Sequence, residues 1–359
     1  MNESSEKPKT KAYSRRQILR LTGAAIGGAT IGSLVGIGGV KLIENLSTKQ
    51  EVDLKRHLPP FPEFELPNPD QKILVIPLKE AGEGIVSQED VESYLENVSK
   101  YYERNSYGKF RYSYTVLPPR EVDLPTDRDD VYKVTDKGDV SLDNSEKSRY
   151  GTYQTRLYIV NPDKDQKAGG YKIDPKEGYR RAVVYYVSNG IIIHELGHTL
   201  GLGHADLLTP SVEGDYTNGV KLEEYAGSGN FMGDIFHNIK PREGGIYFEG
   251  LGLDFNAAQK VELGWLVRKH VKDVTQSGEY VISAIAHIDD PVTTKALRIR
   301  KPDTGEVYWV DFRPYYFGSV APSLEIVKWD EKAGSPTNQI KLDPREGIRG
   351  NVKVRVTFK

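Results

Sequence analysis

The chain has 359 residues, of which 38% are hydrophobic and 28% are charged, and its formal net charge is −2. This is the composition of a globular protein, and the roughly 290 residues beyond residue 70 are enough for two domains. No basic block lies outside the N-terminus, which argues against a nucleic-acid partner, and the absence of cysteine excludes disulfides and thiolate metal ligands.

The first 41 residues have the pattern of an export signal or a membrane anchor. Residues 1–20 are polar and basic, residues 21–40 carry no charge, and Lys41 follows. The stretch around Arg15 and Arg16 resembles a twin-arginine export signal. The apolar run is longer than a usual signal core of about 7–15 residues and close to the length of about 20 that spans a bilayer. Cleavage and retention as an anchor both remain open, and either predicts a secreted or membrane-anchored, extracytoplasmic protein.

Residues 42–70 are predicted to be a tether or a pro-segment. They contain Leu-Pro-Pro-Phe-Pro at 58–62 and Leu-Pro-Asn-Pro at 66–69, and clustered prolines favour an extended, polyproline-like backbone. Without cysteine, this segment cannot block a metal site with a thiolate. We expect contact with a membrane only through the N-terminal segment that precedes the tether.

Short apolar runs and one amphipathic stretch predict a globular domain that begins at about residue 71. Strands are predicted at four apolar runs, residues 72–77, 111–117, 156–160 and 182–187. Between the first two runs, Ser87 is a predicted helix N-cap with Asp90 three residues on. Apolar residues then follow a 3.6-residue period, so one face of this helix is expected to pack on the sheet. Residues 118–150 are polar, and we expect them to be irregular.

The start of a calcium-loop pattern follows the third predicted strand. Asn161, Asp163 and Asp165 stand at alternate positions, as oxygen ligands do in such loops. The pattern then breaks, because its sixth position is Gln166 instead of glycine and its twelfth is Lys172 instead of glutamate. We therefore interpret the segment as a solvated loop, with a structural Ca²⁺ site as the alternative.

Residues 194–204 read His-Glu-Leu-Gly-His-Thr-Leu-Gly-Leu-Gly-His and hold three of the chain's seven histidines. On a helix, His194 and His198 are one turn apart, so both imidazoles leave the same face and can bind one metal ion. Glu195 can reach a water beside that ion without being a ligand. Gly201 can adopt the left-handed conformation that ends a helix, which lets the chain turn back and present His204. Three imidazoles with one open position are typical of a catalytic Zn²⁺ site.

Several local motifs around this stretch resemble those of the metzincin zinc peptidases. Met232, which lies 28 residues after His204, resembles the methionine turn that these enzymes place beneath the zinc. The local sequence motifs are similar to those of the gametolysin-like peptidases, and related features recur in the immune-inhibitor-A metalloproteases. The motifs that carry the resemblance are Gly-Leu-Gly-His at 201–204, Phe-Met-Gly at 231–233, Asn-Ala-Ala-Gln at 256–259 and Leu-Gly-Trp-Leu at 263–266.

The resemblance implies roles for individual residues. Zn²⁺ would be held by His194, His198 and His204. Glu195 would act as the general base toward the attacking water. Met232 would pack beneath the zinc without ligating it. The wider implication is a catalytic domain of the zincin type, in which a twisted sheet and packed helices are divided by a cleft at the zinc.

Two aspartates, Asp206 and Asp234, lie near the motif in the sequence. Some metzincins carry a tyrosine ligand two residues after the methionine, but that position is Asp234 here, so the role cannot be carried over. Asp206 lies two residues after His204, and metal-bound histidines usually donate their second N–H to such a partner. Asp206 is therefore a candidate for orienting one imidazole.

Cap residues predict where two of the later helices begin. Either Ser188 or Asn189 can cap the helix that carries the metal-binding motif. Asn256 and Gln259 form a predicted capping box for a second helix, and Gly264 is expected to end it. Both helices fall within residues 71–270, which we assign to the catalytic domain.

Residues 271–359 are predicted to form a small β-rich domain, with strands at 279–284, 296–300, 308–312 and 352–358. The predicted fold class is therefore α+β. The predicted function is that of a zinc-dependent endopeptidase acting on protein or peptide substrates. The alternative is a surface adhesion or matrix-binding protein that retains a structural zinc site. Glu195 favours the enzyme, because a structural site has no need of a general base.

Overall fold

The structure is a computed structural model that describes most of the chain after residue 67. The described residues are 68–125, 130–160, 169–173, 178–185, 187–205, 207–212, 215–223, 231–233, 254–286, 294–300, 306–313, 323–330, 335–342 and 351–356. The predicted export signal, most of the tether and the calcium-like segment at 161–168 lie outside these residues. Within them, no helix combines the length and the apolar character needed to cross a membrane.

The first sheet consists mainly of parallel strands. Its strands are β1 (Asp70–Lys79), β2 (Arg111–Val116), β3 (Arg120–Glu121), β4 (Thr155–Val160), β5 (Gly169–Ile173) and β6 (Arg180–Val184). Their order is β2-β1-β4-β6-β5, and β3 pairs with β1. Strand β5 runs antiparallel to β6 and forms an edge of the described sheet. The four predicted strands are confirmed with small shifts of their ends, whereas the sequence pattern does not predict β5.

Both faces of this sheet are covered, which explains why its central strands read as unbroken apolar runs. In β1, Ile73 and Val75 belong to one hydrophobic cluster, and Leu74 and Ile76 belong to another. Side chains alternate between the two faces of a strand, so the two clusters lie on opposite faces of the sheet. The core that supports residues 194–204 is the cluster that contains Ile73.

Three helices accompany the first strands: α1 (Gln88–Asn105), α2 (Val131–Val140) and α3 (Asn144–Arg149). Ser87 caps α1 as predicted, because its side chain accepts a hydrogen bond from the Asp90 backbone N–H at 3.1 Å. The prediction that residues 118–150 are irregular is wrong for α2 and α3. The side chains of Asp130 and Asp143 cap these two helices. Because α3 buries no residue, it carries no apolar period from which it could be predicted.

Two later helices, α4 (Asn189–Thr199) and α5 (Ala257–Glu262), lie where the sequence predicts them. The capping box of α5 is complete. The Gln259 N–H donates to Asn256 Oδ1 at 2.9 Å, and the Asn256 N–H donates to Gln259 Oε1 at 3.0 Å. Gly264 then follows with a φ of 70°. This cap chemistry fixes the start of α5 within the core.

A second sheet includes strands from distant parts of the sequence. Its strands are β7 (Leu207–Val212), β8 (Asp215–Glu223), β9 (Val271–Val274), β11 (Ala296–Arg300), β12 (Val307–Arg313), β13 (Ser323–Asp330) and β14 (Ser335–Leu342). They lie in the order β8-β7-β14-β13-β12-β11-β9. A separate antiparallel pair joins β10 (Gly278–Ser283) to β15 (Asn351–Val356). The four strands predicted after residue 270 are confirmed, and the architecture is of the α+β class.

The described residues on the two sides of residue 270 are closely connected. Strand β7 pairs with β14 through Leu207 and Gln339. The Tyr107 hydroxyl, just after α1, donates a hydrogen bond to the Ile285 carbonyl at 2.7 Å. These contacts join elements that precede residue 270 to the later strands. The division into domains at 71–270 and 271–359 stays a prediction.

Candidate metal centre

Helix α4 begins in the core, directly after β6. Ser188 is its N-cap, because the side-chain oxygen accepts a hydrogen bond from the Ile191 N–H at 3.3 Å. Ile191, Ile192 and Ile193 belong to the cluster that covers one face of the first sheet. The Tyr102 hydroxyl of α1 donates to the Ile193 carbonyl at 2.8 Å. These buried residues anchor the helix and hold the side chains of the next turn in place.

Helix α4 ends where the motif places its glycine. The Leu202 N–H donates to the Gly197 carbonyl at 3.1 Å, and the Gly201 N–H donates to the His198 carbonyl at 2.9 Å. Gly201 has a φ of 100°, which residues with a Cβ rarely adopt. The predicted left-handed turn is confirmed, and it brings His204 back alongside the helix.

The three histidines of the motif lie together. The nitrogens of His194, His198 and His204 that face one another are all within 4.8 Å, and the Nε2 atoms of His194 and His198 are 3.0 Å apart. The His204 ring centroid is 5.3 Å from that of His194 and 4.6 Å from that of His198. Small ring movements would place all three nitrogens at the Zn–N distance of about 2.0–2.1 Å from one ion.

Two backbone carbonyls determine which nitrogen of each imidazole carries the proton. His194 Nδ1 lies 2.6 Å from the Phe231 carbonyl oxygen, and His198 Nδ1 lies 2.8 Å from the Leu202 carbonyl oxygen. A carbonyl only accepts, so each Nδ1–H donates and each Nε2 keeps its lone pair. Two lone pairs that face each other at 3.0 Å repel unless a cation lies between them. The residue pattern does not reveal these partners, because they are backbone atoms.

Burial keeps these two imidazoles neutral at physiological pH. Desolvation lowers the pKa of His194 to about 4. Desolvation, with repulsion from His194 and His204, lowers the pKa of His198 to about 2. Neutral imidazole is the form that binds metal ions. A set of three imidazoles, with neither thiolate nor carboxylate among the donors, fits Zn²⁺.

Met232 packs against α4 beside the histidine cluster. Its side chain is fully buried, and its carbonyl accepts a hydrogen bond from the Ala205 N–H at 2.7 Å. A Cβ added at Gly197 would lie 2.5 Å from the Met232 sulfur, so any larger residue there would have to displace this buried side chain. The preceding residue, Phe231, supplies the carbonyl that orients His194. Residues 231 and 232 therefore support both the helix and the chain that leads on from His204.

Glu195 is buried next to the cluster but is not one of its ligands. Its side chain is almost fully enclosed, and this burial raises the pKa of the carboxyl to about 8. Among the described residues, Glu195 Oε2 has no hydrogen-bond partner. Leaving a buried carboxyl oxygen without a partner costs free energy. A group held in this way beside potential metal ligands is a candidate for chemical function.

Strand β5 packs beside α4 and lies close to Glu195 and His198. A Cβ on Gly169 would lie 2.6 Å from Glu195 Oε1 and 2.7 Å from the Val183 carbonyl oxygen, and the backbone contact leaves no room for a side chain at that position. Two residues on, the Tyr171 ring stacks on the His198 imidazole, with centroids 4.2 Å apart and planes inclined by 18°. The sequence pattern does not predict this strand, because the glycines at 169 and 170 are untypical of strand interiors.

The two aspartates considered from the sequence, Asp206 and Asp234, lie outside the described residues. The role of Asp206 in orienting an imidazole therefore stays a prediction. For His194 and His198, backbone carbonyls already fill the position that such a carboxylate would occupy. If Asp206 acts in this way, His204 is the ligand of the three that it would orient.

Comparisons with known proteins add little to this geometry. No protein-family model matches the chain, and no curated protein matches it. A solved structure described as a chaperone–substrate complex aligns at 13% identity and a TM-score of 0.29, over 42% of this chain and 28% of that one. Wild-type OgpA from Akkermansia muciniphila aligns at 13% identity and a TM-score of 0.32, over 84% of this chain and 87% of that one. Both TM-scores are too low to indicate a shared fold.

Proposed function

We propose that this chain is a zinc-dependent endopeptidase of the zincin type, acting on protein or peptide substrates outside the cytoplasm. The observation that carries the proposal is the pairing of three clustered imidazoles with the buried carboxyl of Glu195, whose Oε2 has no partner among the described residues. Structural zinc sites are closed by four protein ligands and have no use for such a carboxyl. The metzincin-like residue pattern supports the same reaction class.

The proposed division of roles follows from the contacts. His194, His198 and His204 would hold Zn²⁺ through neutral nitrogens, and two of them are oriented by the carbonyls of Phe231 and Leu202. When bound, zinc supplies a Lewis acid that polarises the scissile carbonyl and makes water nucleophilic near neutral pH. Because the rings are fixed by backbone atoms and packing, little reorganisation is needed when the ion binds.

Glu195 is the proposed proton carrier. Its carboxylate accepts a proton from the attacking water at Oε2 while the new carbon–oxygen bond forms. It then delivers that proton to the amide nitrogen as the carbon–nitrogen bond breaks. Burial alone raises the pKa of Glu195 to about 8, and the positive charge of bound Zn²⁺ would lower it again, which favours the carboxylate that accepts the proton.

The edge strand β5 favours an extended peptide as the substrate. Within the described sheet, β5 pairs with β6 on one side and has no strand on the other. Extended peptides bind such edges through backbone hydrogen bonds, largely independent of sequence. Because Gly169 and Tyr171 of β5 contact Glu195 and His198, a peptide added along this strand would pass close to the histidine cluster.

The proposal is tested by comparing zinc content and peptide cleavage in the full-length chain. Wild type should hold about one zinc per chain, measured by elemental mass spectrometry, and should cleave members of a diverse quenched-fluorescent peptide library. A zinc chelator should abolish cleavage, and added Zn²⁺ should restore it. His198→Ala should lose both zinc and cleavage, because two remaining ligands hold the ion poorly.

The matched control is His270→Ala, which removes a buried histidine outside the cluster. This variant should keep wild-type zinc content and cleavage. Wild-type chain that holds stoichiometric zinc but cleaves no library member would contradict the proposal. That result would favour the adhesion or matrix-binding alternative, in which the zinc site is structural.

A further inference from the structure

One face of β5 is fitted to the reactive residues of α4. Gly169 and Tyr171 are two residues apart, so their side-chain positions lie on the same face of the strand. Gly169 leaves room for the carboxyl of Glu195, and Tyr171 covers the imidazole of His198. Glu195 and His198 are three residues apart and are therefore neighbours on the surface of α4. This face of the strand therefore lies against the candidate site.

The position of the Tyr171 ring keeps its hydroxyl near the cluster. The ring is almost parallel to the His198 imidazole, at a centroid distance of 4.2 Å. The hydroxyl, which lies in the plane of the phenol ring, is therefore in the layer of space next to the imidazole. The residue is 43% exposed, so part of it is open to a molecule that enters from solvent.

A hydrogen-bond donor at this position would add to the polarisation that zinc supplies in the proposed reaction. When water attacks a peptide bond, negative charge develops on the carbonyl oxygen, and a preorganised donor aimed at that oxygen accelerates the reaction. Two other hydroxyls at α4 are already committed, since Tyr102 donates to the Ile193 carbonyl and Thr199 donates to the Leu196 carbonyl. The Tyr171 hydroxyl makes no hydrogen bond to any described residue.

We propose that Tyr171 is a catalytic residue whose hydroxyl donates a hydrogen bond to the carbonyl oxygen of the scissile peptide bond. This assignment rests on the proposed peptidase function and adds to it a donor from the edge strand. The phenol stays protonated throughout and neither forms nor breaks a covalent bond. Stacking on His198 restrains the ring, so the hydroxyl would be held near the cluster before the charge develops.

The test uses the full-length, zinc-loaded chain with Tyr171→Phe and Tyr171→Leu. Phenylalanine keeps the stacked ring and loses only the hydroxyl, whereas leucine loses both. We expect Tyr171→Phe to lower kcat by about 10²-fold, as removal of a single oxyanion donor does. Its KM and its zinc dissociation constant should stay close to wild type. Tyr280→Phe is the matched control, because it removes a hydroxyl from β10.

Acetohydroxamate provides a readout that does not depend on turnover. It binds zinc through oxygens and needs no peptide specificity. If Tyr171 donates to an oxygen at this place, Tyr171→Phe should bind acetohydroxamate about tenfold more weakly than wild type, since hydrogen bonds to charged oxygens are among the stronger ones. Titration calorimetry on zinc-loaded chain measures this difference, and Tyr280→Phe should match wild type.

Failure of this assignment can be distinguished from failure of the proposed function. Wild-type kcat and acetohydroxamate affinity in Tyr171→Phe, with a defect only in Tyr171→Leu, would show that the ring alone matters and would overturn the assignment. If wild type cleaves no peptide, the peptidase proposal fails, and the catalytic assignment of Tyr171 fails with it. Weaker acetohydroxamate binding by Tyr171→Phe would still show a hydroxyl donor at the cluster, whereas equal binding would exclude one. A chain that cannot be loaded with zinc would contradict both proposals.

Discussion

At the scale of single residues, the position of Glu195 depends on Gly169, which has no Cβ. A Cβ on Gly169 would lie 2.6 Å from Glu195 Oε1 and 2.7 Å from the Val183 carbonyl oxygen. Neither neighbour can retreat easily, because the carboxyl is enclosed and the carbonyl belongs to β6. Glycine at 169 is therefore part of what holds the carboxyl beside the histidines.

We predict that Gly169→Ala lowers kcat/KM by about 10²-fold while zinc content stays unchanged, because displacement of a catalytic group by about 1 Å can cost that much. Kinetics on a peptide cleaved by wild type, with elemental analysis of the same sample, measures both quantities. Gly278→Ala is the matched control. Gly278 also lies in a strand, and the nearest atom to a Cβ added there would be 3.5 Å away. Wild-type activity in Gly169→Ala would show that the carboxyl does not need its observed position.

At the scale of elements, a buried lysine joins α5 to the end of α1. Lys260 is fully buried, and its Nζ donates a hydrogen bond to the Asn105 carbonyl at 2.9 Å. The ammonium also lies 4.5 Å from the centroid of the Tyr107 ring. Desolvation lowers the pKa of Lys260 to about 8, although neighbouring carboxylates oppose the shift.

The buried lysine predicts a pH dependence of stability. The charged groups around Lys260 are Asp254 and Asp311, which favour its protonated form, and Arg104 and Arg313, which oppose it. In the folded state Lys260 loses its proton near pH 8, whereas in the unfolded state it does so near its ordinary value of 10.5. Below about pH 8 the cost of burying the charge is fully present. As pH rises from there toward 10.5, the unfolded state binds more protons and stability increases.

The measurement is the free energy of unfolding of wild type and Lys260→Met in urea between pH 7 and pH 9.5. Relative to the variant, wild type should gain stability on the order of 1–3 kcal/mol across this range. Taking the difference between the two chains removes the opposite effect of the buried tyrosines, whose raised pKa values reduce stability above about pH 10. A difference that does not change with pH would contradict the lowered pKa of Lys260.

The sequence predicts elements well where local chemistry defines them and poorly where tertiary contacts do. Spacing alone predicts that the three histidines cluster, because helix geometry and the left-handed turn at Gly201 bring the imidazoles together. The caps at Ser87 and Asn256 are equally local. Strand β5 is missed, because Gly169 is explained only by the carboxyl packed against it. Helix α3 is missed because it buries no residue and therefore has no apolar face in its sequence. Its start is instead defined by the capping box at Asp143.

At the scale of the whole molecule, the predicted N-terminal signal determines where a metal-dependent peptidase would act. Twin-arginine signals direct export of folded proteins, so zinc could be bound before the chain crosses the membrane. The histidine cluster is assembled by the fold and by the return of the chain at Gly201. An export route that accepts only unfolded chains would postpone zinc binding until after export, when the site forms.

We predict that the double substitution Arg15→Lys with Arg16→Lys retains the protein in the cytoplasm. Fractionation of cells followed by immunoblotting measures its distribution. Lys9→Arg with Lys11→Arg is the matched control, because it exchanges two basic residues of the same flank without touching the arginine pair. Normal export of the first double variant would contradict the twin-arginine interpretation. Sequencing the N-terminus of the exported protein decides separately whether residues 1–41 are cleaved or retained.

The central claim is that Glu195 moves protons in a zinc-dependent peptidase, and the cleavage rate of Glu195→Gln at full zinc occupancy tests it most directly. Glutamine keeps the size of the side chain but cannot accept the proton of water, so the rate should fall by about 10²–10⁴-fold. Zinc content should equal that of wild type, because none of the three imidazoles changes. Glu262→Gln, which alters another buried glutamate, should keep both. Cleavage by Glu195→Gln at the wild-type rate, with zinc bound, would contradict the account.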